Sequence, residues 1–440
     1  MTEWLHLVIF ALREVHSSFM LVLGNRPIFE WFLFFFPFFV FGEMPRYLLP
    51  PFALLIKNVF RLSPENREQY ARFLATKPSV SILLVGYNEE DTVADAIESL
   101  LQFEYPNLEI IVVDDGSTDR MHERAKPYAD RGLIKLFRNS SATGRQGRPA
   151  ASNMAFALSS GEILVSVDAD TSFDRDALNE ILGPFCDPAV GVVAGNLKAW
   201  NADKNFVTRM QALEYLQSIT LWKTWLNLFG WNMQASGAFG AFRRAALEST
   251  AAWDPELAED ADLSLKIKKA GWKVVFSPRA IAMTNVPDNL PTLIRQRHRW
   301  DRGVLRTYYR KHLGLMKFWR FDWRNAAEMS LEFVFSILLP YFYIVWLIYM
   351  AIFFPVVLAF AVAIIYLVYT LTNCLSLAVA INGSERWRTE LDLLWYIPLF
   401  PAYKGFFRWV RIYSITLELF HINYEQTYLP ESAWQNARRW

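Results

Sequence analysis

The alternation of hydrophobic and polar positions divides the chain into an apolar front, a mixed middle and an apolar end. At the front, Trp31–Ile56 is nearly all apolar, broken by prolines and carrying Glu43 and Arg46, and this predicts a proline-broken membrane span. Residues 4–23 are apolar but hold Arg13, Glu14 and His16 near their centre, which fits either a second span or an amphipathic helix lying in the interface. They have no small-residue cleavage site, so a cleavable signal peptide is not expected. Towards the end, Phe333–Ser384 contains no charged residue. A span takes about 20 apolar residues, so this stretch predicts two helices, over 332–353 and 356–381, turning near Pro355. A further apolar segment starts at Leu393 and carries Lys404, Arg408 and Arg411 at i, i+4 and i+7, on one helical face. It reads either as an interfacial, snorkelling helix or as a span whose basic stripe lines a polar path.

The middle changes period. After a polar stretch from Asn66 to Pro78, strand-like runs at 81–87, 108–115, 132–137, 162–170 and 190–196 alternate with helical patterns at 91–102 and 119–129. Nearly continuous apolar strands separated by helices predict an α/β unit whose mainly parallel, Rossmann-like sheet is covered on both faces. Residues 205–229, rich in Trp and Leu, read as an interfacial helix, with a soluble core helix as the alternative. The organisation that follows has an N-terminal membrane region (1–60, one or two spans), a linker (61–77) and the α/β domain (78–285). Amphipathic interfacial helices (286–325), a C-terminal membrane region (326–420, two or three spans) and a tail (421–440) complete it.

Composition narrows the function. Hydrophobic residues reach 53% and aromatics 16%, above a typical soluble domain, while the formal net charge is only +1. That balance argues against nucleic acid as a partner, which would call for a basic excess. The two cysteines, Cys186 and Cys374, form no disulfide framework or metal knuckle by spacing.

In a parallel sheet, ligands bind beyond the carboxyl ends of the strands. Those ends are rich in acids: Tyr87–Asp91 (YNEED), Asp114–Asp119 (DDGSTD) and Asp168–Asp170 (DAD). A lone acid there is a helix cap, but three converging endings repel one another unless a cation or hydrogen-bond donors satisfy them. Asp168 and Asp170 suit a hard divalent cation shared with phosphates, Mg²⁺ or Mn²⁺. Further on, Glu259, Asp260 and Asp262 open a helical pattern; capping explains such acids, and a general base at Asp260 is the functional alternative. Arg295–Gly303 (RQRHRWDRG) packs four arginines, a glutamine, a histidine and a tryptophan just upstream of the apolar runs. This cluster could grip anionic lipid or hold a phosphorylated leaving group.

In this order and spacing, YNEE, DDGSTD, DAD, ED and QRHRW resemble the motifs of family 2 inverting glycosyltransferases, and more narrowly the membrane-embedded cellulose, hyaluronan, chitin and poly-N-acetylglucosamine synthases. The resemblance implies a GT-A fold in a cytoplasmic domain flanked by transmembrane and interfacial helices. By it, Tyr87, Glu89, Asp114 and Asp115 contact the nucleotide of a UDP-sugar, and Asp168 and Asp170 hold the metal and diphosphate. Glu259 and Asp260 are the catalytic acids, with Asp260 as base. Gln296, Arg299 and Trp300 form the Q-x-x-R-W element, with Arg299 on the leaving diphosphate and Trp300 under the acceptor sugar. Ala258 stands where the family usually has Thr, and Arg148 where many members have lysine, a position for phosphate contact. The remaining cations, Arg295, Arg297, His298 and Arg302, are expected to meet lipid phosphates or carboxylates.

The activity so implied is metal-dependent extension of a β-linked polysaccharide from a UDP-sugar and its passage across a bacterial inner membrane. Membrane lipids are partners, and the resemblance leaves room for accessory export proteins. Transfer of one sugar to a lipid acceptor is the alternative, and a non-catalytic membrane component a more distant one. With the catalytic domain in the cytoplasm, two spans return the chain there at 382–392; a third would place the basic tail, 436–440, outside, against the preference of cationic segments.

Overall fold

The computed structural model describes residues 46–59, 67–139, 145–232, 234–382 and 384–420, with a few isolated positions before 46. The expectations for residues 4–23, most of the first span with Glu43, and the basic tail lie outside the described residues.

Eight strands make one sheet: β1 (Val80–Gly86), β2 (Leu108–Asp114), β3 (Lys135–Arg138), β4 (Ile163–Asp168), β5 (Thr171–Phe173), β6 (Val190–Ala199), β7 (Phe239–Arg243) and β8 (Lys273–Thr284), in the order β3-β2-β1-β4-β7-β6-β8-β5. The first four run parallel, β6 and β8 are parallel to each other, and β7 and β5 run antiparallel to their neighbours. The sheet is therefore mixed but mostly parallel, as expected of the α/β reading.

Successive side chains of a strand face opposite ways, and both faces here are buried. In β1, Ile82 and Leu84 join one core cluster while Leu83 and Val85 join the other; in β2, Ile110 and Val112 face one way, Ile111 and Val113 the other. Each such side chain contributes roughly 1.5–3 kcal/mol on burial. The flanking helices Val93–Leu101 and Arg148–Leu158 supply the covering layers, through Ile97 and Leu100 on one face and Ala151 and Ala155 on the other.

Three strands were not foreseen. β7 holds Gly240 and Ala241, small residues that carry no strand-like apolar run, yet it sits in the middle of the sheet between β4 and β6. β8 is interrupted in sequence by Ser277 and Pro278; register shifts in its pairing with β6 absorb the break, and the Pro278 carbonyl accepts from Asn196 Nδ2 at 2.8 Å. β5 is a three-residue edge.

Of the described helices, two, Trp323–Phe353 and Pro355–Ile381, are long and apolar enough to cross a membrane. The segment after Leu393 is instead a 3₁₀ stretch, Asp392–Leu399, followed by the helix Phe400–Leu419. That helix lies along Leu290–Arg306, with Ser414 Oγ 2.8 Å from His298 Nδ1 and Arg411 Nε donating to Asp301 at 2.9 Å. In the helical run from Phe206 to Asn227, Met210 and Leu213 belong to the main core, while Leu221 packs with Leu54 and Val379.

Candidate active site

The ends of β1, β2 and β4 lie level, because Gly86 pairs with Asp114 and Val85 with Asp168. The residues that follow these ends therefore share one rim. Gly86 is required at the rim: a Cβ there would come within 2.3 Å of Met121 Cε and 2.9 Å of Ala169 Cβ. Above it opens a cavity of about 610 Å³. Its walls include Tyr87, Glu89, Asp115, Asp168 and Asp170 from the sheet, Arg148, then Glu259 and Asp260, then Gln296, Arg299 and Trp300.

Every candidate residue thus reaches the cavity except Asp114. That carboxylate is fully buried behind the rim, where Oδ1 accepts from the Ser117 amide at 2.7 Å and Oδ2 lies 3.3 Å from Arg138 Nε and 3.5 Å from His122 Nδ1. Asp115 faces the cavity and accepts from the Gly147 amide at 2.8 Å and Asn139 Nδ2 at 3.0 Å. Asp114 shapes the turn; Asp115 joins that turn to the segment carrying Arg148.

The acid pair Glu259–Asp260 begins the helix Glu259–Lys269, where the free amides and helix dipole favour negative charge. Asp260 Oδ2 accepts from the Gly237 amide at 3.2 Å. A close approach brings the neighbouring helix Leu290–Arg306 alongside: a Cβ on Gly303 would lie 2.9 Å from Ala258 Cβ. Small residues at 258 and 303 therefore set Arg299 and Trp300 over the acids. Gln296 lines the cavity, and its Oε1 is buried with no hydrogen-bond partner among the described residues.

The acids crowd one another. Burial, then the Asp260 charge, lifts Glu259 to about 7, and burial with Asp170 lifts Glu89 to about 7. Asp170 is raised to about 6 by burial and by Asp168. Arg148 answers part of this: its guanidinium bonds Asp168, donates to the Gly237 carbonyl at 2.6 Å and lies 3.3 Å from Glu259. Two mutually repelling carboxylates that open on a cavity, Asp168 and Asp170, are a set that fits a hard divalent cation sharing phosphate oxygens. Among the described residues no group of three or more acid, His or Cys side chains forms a cage, so any such ion would need ligands from outside the chain.

Lys223, Arg145 and Glu214 are among the cavity residues that were missed. Lys223, flanked by Leu221, Trp222 and Trp225, lines the cavity with Nζ 3.3 Å from the Gln234 carbonyl, and burial lowers its pKa to about 8 against the pull of Asp260. Its isolation among apolar residues was the available signal. Arg145 stacks 4.2 Å from the Tyr87 ring centroid. Glu214 closes the far end, bonded to Arg297 at 2.8 Å. Of the other cations in the arginine cluster, Arg302 is buried against Glu418 at 2.7 Å, whereas Arg295 is exposed.

The sheet order and its acidic rim define a GT-A fold, a fold of glycosyltransferases. Within it, residues 81–250 match glycosyl transferase family 2, and the chain carries a domain of that family. Glu259, Asp260 and the Arg299–Trp300 pair lie beyond the matched residues. The poly-beta-1,6-N-acetyl-D-glucosamine synthase of Staphylococcus epidermidis is 32% identical over 226 residues, covering 51% of this chain and 54% of the relative. That of Staphylococcus aureus is 30% identical over 273 residues, 61% and 64% of the two chains. The aligned part thus spans between half and two thirds of these relatives. A mannosyltransferase of Pyrobaculum calidifontis, solved with GDP-Man and Mn²⁺, superposes with a TM-score of 0.55 at 19% identity, over 85% of this chain and 99% of that one, and shares the fold.

Proposed function

We propose that this chain is an inverting glycosyltransferase that takes a UDP-sugar and extends a β-linked polysaccharide. The observation that carries the proposal is the meeting of the rim acids, Asp260 and the Arg299–Trp300 pair on one cavity. The sequence relatives, which are poly-N-acetylglucosamine synthases, support a polymer product.

In this reading Tyr87, Glu89 and Asp115 receive the nucleoside, with Asp114 holding their turn. Asp168 and Asp170 would hold Mg²⁺ or Mn²⁺, which when bound offsets the negative charge of the diphosphate. The acceptor sugar rests on Trp300, whose indole offers a flat apolar face. Asp260 takes the proton of the attacking hydroxyl, which displaces the nucleotide from the opposite face of the anomeric carbon, so an α-linked donor gives a β-linkage. Arg299 stabilises the charge that grows on the departing diphosphate, and Arg148 moves between Asp168, Glu259 and that phosphate. Burial and the neighbouring Asp260 charge raise Glu259 to about 7, so it holds its proton more tightly than an ordinary carboxylate.

A route for the product supports the polymer reading. Glu214, Ser218, Phe407 and Arg411 line both the catalytic cavity and a second one of about 170 Å³ among the helices. That cavity in turn shares Tyr47, Tyr343, Lys404 and Arg408 with a third, of about 140 Å³, beside the two long apolar helices. We place the protein in a bacterial inner membrane with the sheet domain in the cytoplasm, where nucleotide sugars are made.

Incubating the full chain in lipid nanodiscs with radiolabelled UDP-glucose, UDP-N-acetylglucosamine and other UDP-sugars, then sizing the product, tests the proposal. A ladder or high polymer from one donor is expected. A single glycolipid would replace the polymer reading with one-sugar transfer, and no turnover of any donor would remove the function.

A further inference from the structure

Within the arginine cluster, Arg297 fills one of the two unspecified positions of the Q-x-x-R-W pattern. Arg297 is three residues before Trp300 on the same helix, so the two side chains are neighbours on its surface. Its guanidinium carbon stands 4.5 Å from the Trp300 ring centroid, within cation–π range of one face. Both residues line the catalytic cavity. The Arg297 side chain is 14% exposed, and a buried guanidinium needs an anion. Glu214 supplies it at 2.8 Å, and the Tyr403 hydroxyl donates to the same Glu214 oxygen at 2.9 Å. Burial alone would raise Glu214, but Arg297, Lys404 and the Tyr403 hydroxyl together hold it below the usual carboxylate range.

The result is a chain of three contacts, Tyr403 to Glu214 to Arg297 to Trp300, in which the first two members come from other helices. A tryptophan on a helix surface can turn about two side-chain bonds. With one face backed by a flat guanidinium that is itself held by a carboxylate, the indole has a single favoured plane. The opposite face is then presented to the cavity at a fixed angle.

We infer that Arg297 is a positioning residue for acceptor recognition, acting through Trp300: anchored on Glu214, it sets the plane on which the terminal sugar of a β-linked chain stacks. This rests on the proposed function, in which Trp300 carries the acceptor. Lysine at 297 would keep a charge for Glu214 but lose the flat surface, so charge and stacking are separable.

The test is initial-rate kinetics of the full chain in nanodiscs, with UDP-N-acetylglucosamine as donor and a β-1,6-linked N-acetylglucosamine pentasaccharide as varied acceptor. For Arg297→Gln, the acceptor KM should rise about tenfold, the size of a desolvated cation–π contact, while kcat at saturating acceptor falls by less. Arg297→Lys should recover part of the lost affinity. An unchanged KM in both variants, or a fall in kcat with KM unchanged, overturns the inference. If Arg297→Gln fails to fold, Arg297→Lys alone decides, with a rise of about threefold in KM expected and an unchanged KM fatal. Trp300→Ala separates the two levels: a raised KM there beside unchanged Arg297 variants sinks only the role of Arg297. An unchanged KM in Trp300→Ala removes the acceptor platform and this inference with it, and no turnover by the unaltered chain counts against the proposed function itself.

Discussion

Arg302 and Glu418 meet as a buried ion pair, Nη2 to Oε2 at 2.7 Å, and fasten the C-terminal helix to the helix that carries Arg299 and Trp300. Arg310 adds a second contact to the same carboxylate at 2.6 Å. Removing one partner of a buried pair leaves the other charge uncompensated, at a cost of about 3–5 kcal/mol. Glu418→Gln should therefore lower the thermal midpoint by several degrees in detergent, whereas the double change Arg302→Met with Glu418→Met should lose less. Equal losses in the two would mean that the pair is not the clamp.

The connection after the second long apolar helix touches the sheet domain. Lys198 pairs with Glu390 and donates to Ser384 Oγ at 3.0 Å, and Arg386 pairs with Asp174. On the proposed membrane placement, residues near 388 face the same side as the catalytic cavity and the turn at Phe354 faces the other. In a background with Cys186→Ser and Cys374→Ser, the variant Arg388→Cys should react with an impermeant maleimide from the catalytic side only. Phe354→Cys should react only from the opposite side; labelling of both from one side would refute the placement.

The pH dependence of stability follows from Glu259. Its carboxyl is raised from 4.5 to about 7 by burial and by Asp260, so the folded state holds a proton that the unfolded state has released. That contribution is complete below about 4.5 and is lost as pH rises through about 7. Glu259→Gln carries no titrating group, so its thermal midpoint relative to the unaltered chain should be higher at pH 8 than at pH 4.5. A pH-independent difference would show that Glu259 does not titrate in this window.

Metal removal bears on the rim. Chelation should abolish transfer, and Mg²⁺ or Mn²⁺ should restore it. Asp170→Asn should raise the metal concentration for half-maximal rate tenfold or more, since small hard cations on one or two carboxylates depend strongly on each. Full activity after chelation would exclude the assignment of Asp168 and Asp170.

Much of the site was legible because acids after parallel strands have few structural reasons to cluster, and Asp115, Asp168 and Asp170 do converge. Asp114 was not separable from Asp115 in sequence: consecutive strand-end residues point opposite ways, and only the register decides which faces the cavity. β7 and β8 were hidden because the first is built of small residues and the second is split by Pro278, and tertiary pairing overrides both signals. Glu214 was invisible as a functional residue because its partners, Arg297 and Tyr403, are 83 and 189 residues away. The apolar pattern after Leu393 left a span and an interfacial helix both open, because the partners of Arg411 and Glu418, Asp301 and Arg302, lie far away in sequence.

The central claim is that Asp260 is the proton acceptor of a transfer in which the nucleotide is held elsewhere in the same cavity. UDP binding by calorimetry, measured beside sugar transfer in Asp260→Asn, tests this most directly. The account predicts unaltered UDP affinity with transfer reduced by about a hundredfold to ten-thousandfold. Retained transfer, or a loss of UDP binding that matches the loss of rate, would contradict it.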